Sequence, residues 1–154
     1  MNAAAGSNAM LFENVTSARN FGANPALLVT SGATPSGTVT VRNTIMGSGT
    51  AGLGFASASL PAIGGVTYAI ANSIVENSST GVLAGACGVN GNLCNVDAKL
   101  ENLALNGIAT TRTHALRPGS PALDAGDNTG VAANDQRGAG YRRTGGSSRT
   151  GIFA

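Results

Sequence analysis

Three segments of this chain, MLFENVTSARN from Met10, VTVRNTIMGSG from Val39 and YAIANSIVENS from Tyr68, align without gaps at a spacing of 29 residues. The alignment sets Asn14, Asn43 and Asn72 in one column, with Phe12, Val41 and Ile70 two places before and Thr16, Ile45 and Ile74 two places after. Apolar positions alternating on both sides of that column carry the period of two of a strand with one buried face. A fixed spacing of roughly 20 to 50 residues marks stacked repeats, in which no single unit buries its own face. Each repeat is therefore expected to pair in parallel with its equivalent. The asparagines are expected to point inward and bond amide to amide, since burying such a group without a partner costs about 1–3 kcal/mol. A column facing solvent is the alternative.

The composition suits such a thin stack. The 154 residues fit one domain. Charged residues make up 10%, aromatics 4%, there is no Trp, and Gly supplies 23 positions. A core of large rings is excluded, and Val, Ile, Leu and Ala must fill the interior. Strands are expected at 10–16, 26–30, 38–46, 66–75, 81–83 and 113–116, with essentially no α-helix. No apolar run approaches membrane-spanning length, and residues 1–9 lack the charged and apolar regions of an export signal.

Four of the eight Arg fall in the last eighteen residues, at Arg137, Arg142, Arg143 and Arg149. They could hold phosphate or an acidic glycan; a solvated Gly/Ser-rich tail is the plainer reading. With two Tyr and no interleaved aromatics, base stacking is unsupported and no nucleic-acid partner is expected. Cys87 and Cys94 stand seven apart in a Gly/Asn-rich loop, a spacing that suits a short-range disulfide. Two free thiols are the alternative, and a zinc site lacks its ligand spacing.

Several motifs point to chemistry. GSGTAG at 47–52 matches the dinucleotide-binding GxGxxG, but the following LGFASASLPAIGG is a poor helix, and the 29-residue register explains Gly47 and Glu76 as equivalent corners. No cofactor is expected. Asp124, Asp127 and Asp135 cluster in sequence, and glycan-cleaving enzymes on β-helices use acids held a few ångströms apart in space; Asp124, Asp127 and Asn128 could also ligate calcium. Asp124 in SPALDAG is instead expected to accept backbone amides of its turn, and Asp135 to lock onto Arg137 in DQRG. His114 and Ser120 lie near one another in sequence, but a catalytic triad needs an oriented acid and an oxyanion hole that the sequence does not supply.

The run THALRPGSPALDAGD at 113–127, preceded by DAKLENLALNG at 97–107 and followed by DQRG at 135–138, resembles the C-terminal module of bacterial surface and secreted β-helix proteins of the choice-of-anchor Q or polymorphic outer-membrane-type repeat family. The resemblance covers roughly the last sixty residues and departs at the end, where the family closes on an acidic phrase and this chain reads TGIFA. It implies a right-handed parallel β-helix, an all-β solenoid of about three coils with a loop-rich cap, and a structural role for His114. The expected division is a flexible 1–9, coils over 10–112, the cap over 113–138 and a flexible basic tail over 139–154. The expected function is a non-catalytic extracellular segment of a longer exported bacterial surface or secreted protein, serving display or adhesion, with a cell-surface glycan or host surface as partner. A polysaccharide lyase or hydrolase and a phage fibre module are the competing expectations. The residues expected to be structural are Asn14, Asn43, Asn72, Cys87, Cys94, His114, Asp124, Asp135 and Arg137.

Overall fold

The computed structural model describes residues 8–18, 36–47, 64–76, 81–107 and 110–143. Each repeat supplies two strands separated by its asparagine: β1 (Asn8–Glu13) and β2 (Thr16–Ala18), β3 (Gly37–Arg42) and β4 (Ile45–Gly47), β5 (Val66–Ala71) and β6 (Ile74–Val75). A helical turn α1 (Gly81–Gly85) and a short strand β7 (Leu93–Cys94) follow. One sheet runs β1-β3-β5 and the other β2-β4-β6-β7, and every strand pair is parallel. The register is the 29-residue one: Phe12 pairs Val41 and Val41 pairs Ile70, while Thr16 pairs Ile45 and Ile45 pairs Ile74.

The expected right-handed parallel β-helix of about three coils is corrected by this arrangement. The described residues form two small parallel sheets with little helix, closer to an α/β-type parallel sheet than to a closed solenoid, and no described strand joins the sheets into a coil. The cause is local. Asn14, Asn43 and Asn72 have φ of 55°, 50° and 46°, the left-handed region that asparagine tolerates better than most residues, and the turn sends the two halves of each long strand to different sheets. The strand expected at 26–30 lies outside the described residues. That expected at 81–83 is the start of α1.

Between the sheets, Val39, Val41 and Ile70 of the first meet Met46 and Val75 of the second. Leu83 of α1 is fully buried in the same cluster and plugs its end. The second sheet is covered on its other face too, where Ile45 and Ile74 pack against Ala98, Leu100 and Ala122. This is why β4 is buried at every position while β3 alternates. The C-terminal segment is thus a third layer laid along the second sheet, not the lid over the stack's end that its turns suggested. Closing the end falls to α1 and its loop.

Cys87 and Cys94 form a disulfide that ties the loop after α1 to β7. Of the two readings open from the sequence, the structure takes the bonded one. Closing so short a loop stabilises by about 2–3 kcal/mol in the chain-entropy account. Replacing both cysteines with serine is expected to lower stability by that amount in urea unfolding, with β1-β3-β5 intact.

Candidate functional site

The asparagine corners are where the three layers meet. Asn43 is fully buried, and its Nδ2 donates to Asn14 Oδ1 at 3.2 Å and to the Asp127 carbonyl at 2.7 Å. Its Oδ1 accepts the Asp127 N–H at 2.8 Å, so one side-chain amide mimics a strand partner for a residue 84 positions away. The ladder expected from the sequence is therefore realised between Asn14 and Asn43. No such bond continues to Asn72 among the described residues. Gly91 takes the fourth corner, at φ 73°, directly over Asn72: a Cβ there would run into Asn72 Oδ1.

Behind the corners runs a second buried column that a 29-residue scan cannot find, because its last step is 19 residues. Thr44 and Ser73 return their hydroxyls to the carbonyls of Arg42 and Ala71, at 2.9 and 2.8 Å. Ser73 Oγ accepts the Thr44 N–H and Asn92 Oδ1 accepts the Ser73 N–H. Asn92 Nδ2 then donates to Ile70 and Ala86, joining the column to the loop after α1. The legible signal was the likeness of NSI at 72–74 to GNL at 91–93.

Gly47 and Glu76 form the next corner, as the register implied. The Glu76 side chain lies where a Gly47 Cβ would stand, 2.5 Å from its Cβ, Cγ and Oε2, and Glu76 Oε1 accepts the Ala98 N–H at 2.8 Å. Residues 48–52 of the GxGxxG match lie outside the described residues. Ser120 Oγ donates to the Ala98 carbonyl at 2.6 Å and accepts the Ala122 N–H at 3.1 Å, holding the third layer closed.

The remaining expected residues are dispersed. His114 Nδ1 lies 2.7 Å from the Glu101 carbonyl, which can only accept, so Nδ1 carries a proton. Asp124 is exposed with φ 55°, and no bond to its carboxylate is found among the described residues. Its part is to take a left-handed turn, which corrects the expected amide lock. Asp127 accepts the Thr129 N–H at 2.9 Å, and that backbone bond is the main cause of its lowered pKa. Among the described residues no group of three His, Cys, Asp or Glu could hold a metal.

Asp135 is the most buried acid of the C-terminal layer. Burial works to raise its pKa, but the Arg137 side-chain and backbone bonds and the Arg137 and Arg143 charges outweigh it and hold it below the ordinary 3.8. Arg137 Nε donates to both carboxylate oxygens, at 3.1 and 2.9 Å, and its guanidinium stacks over Tyr141 at 4.2 Å. Backbone bonds Asp135–Tyr141 and Arg143–Ala133 carry the ordered turn through Arg143, past the expected boundary at 138. Because the folded value lies below the unfolded one, the pair's contribution is complete above pH 3.8 and disappears as pH falls through the folded value. Asp135→Asn is expected to cost about 1.5–3 kcal/mol at pH 7, a gap that closes in acid when urea midpoints of the two proteins are compared.

A groove of about 530 Å³ lies between β2 and the third layer, lined by Asn14, Thr16, Ser17, Arg112, His114 and Gln136 among others. No protein-family model, curated protein or solved structure matches this chain. No helix among the described residues is long and apolar enough to cross a membrane.

Proposed function

We propose that this chain is a non-catalytic structural module of a bacterial surface or secreted protein, used for display or adhesion. The observation that supports it is how the chemically capable side chains are engaged. Glu76, Asp97, Asp127 and Asp135 each accept a backbone N–H, at Ala98, Lys99, Thr129 and Arg137 respectively, and His114 is turned to a carbonyl. Groups used this way fix loops on a sheet, and general acid or base work would cost each its structural bond. The disulfide is compatible with an oxidising compartment.

An epitope tag at the native locus tests the location: the tagged protein is expected in the medium or accessible to protease on intact cells, and retention in the cytoplasm would contradict the reading. The enzyme alternative predicts reducing ends released from a polysaccharide panel and lost in Asp135→Asn at unchanged melting temperature. The scaffold reading predicts no release and a lowered melting temperature.

A further inference from the structure

We propose that the groove beside β2 binds a short acidic saccharide, with Arg112 taking its carboxylate. The charge pattern carries the first part. Glu13, next to the groove's Asn14, is committed to Arg42 at 2.6 Å, Glu101, two residues from Leu103, to Arg117 at 3.1 Å, and Asp135, next to Gln136, to Arg137. Arg112 is exposed and has no carboxylate partner among the described residues. Among the described residues it is the groove's uncompensated cation, and a lone guanidinium fork matches one carboxylate in bidentate fashion.

The second part is the polar lining. Thr16 and Gln136 each offer both donors and acceptors, which is what neighbouring sugar hydroxyls require. β2 adds main-chain groups. Ile45 N–H donates to the Val15 carbonyl at 2.9 Å, and in a parallel ladder alternate residues face alternate sides, so the Thr16 N–H and C=O face away from β4, where no described strand lies. The groove has the volume of a small-ligand site.

The inference deepens the display reading by naming what the surface would hold. Titration with trigalacturonate, followed by amide NMR and calorimetry, tests it. Trigalacturonate is expected to shift the Thr16, Ser17 and His114 resonances and to bind at least tenfold more tightly than maltotriose. Arg112→Ala is expected to weaken it at least tenfold at unchanged melting temperature, while Arg142→Ala, outside the groove, has no effect. Equal binding of the neutral trisaccharide, no binding, or full affinity in Arg112→Ala would overturn the groove assignment. The scaffold reading would still stand or fall on the location of the tagged protein.

Discussion

Asn43→Ala is expected to lower stability by about 3–4 kcal/mol, among the largest effects of any single change in the chain. Asn43 is fully buried and makes three side-chain hydrogen bonds, to Asn14 and twice to Asp127; each is worth net about 1 kcal/mol. Its φ of 50° adds about 1 kcal/mol when alanine must adopt it. Asn43→Gly separates the two contributions. Glycine tolerates the backbone and loses only the amide, so it should recover roughly 1 kcal/mol relative to alanine. Chemical denaturation of the three proteins measures this, and an alanine variant within 1 kcal/mol of the native chain would show that the corner does not join the layers.

Leu83→Ala should cost about 2–5 kcal/mol, the range for emptying a fully buried leucine site. Leu83 is fully buried against the cluster between the sheets and sits in α1, where the disulfide loop limits collapse around a cavity. Ala84, next to it and exposed, provides the comparison: Ala84→Ser should fall within about 0.5 kcal/mol of native. Equal effects at the two positions would mean that α1 does not plug the core.

Part of this architecture was legible in the sequence. The period of 29 and the asparagine column fixed both register and pairing, because parallel in-register strands keep equivalent residues in line. What the pattern hid was the turn at each asparagine. Phe12 and Thr16 alternate correctly on either side of Asn14, so a single left-handed residue changes sheet without interrupting the period of two. Helix α1 is five residues bounded by glycines and owes its form to the burial of Leu83, a tertiary effect with no local signature.

The third layer was half legible. Turn chemistry in 113–127 announces a compact, irregular segment but not the surface it covers. The consecutive apolar pairs Ile45-Met46 and Ile74-Val75 carried that information, since a strand buried on both faces needs cover on both. At the candidate site, Asp135 and Arg137 could be paired from DQRG because they are neighbours in sequence. The groove could not, because Thr16 and Arg112 are brought together only by the third layer.

The central claim is that the C-terminal segment is a layer of the core laid along the second sheet. Amide hydrogen exchange by NMR tests it most directly. The Ala98, Ala122 and Asp127 amides, which donate to Glu76, Ser120 and Asn43, are expected to be protected in the native chain, and Asn43→Ala should release Asp127 while Ile45 and Ile74 stay protected. Exchange of all three at open-chain rates in the native protein, with Ile45 and Ile74 still protected, would contradict it.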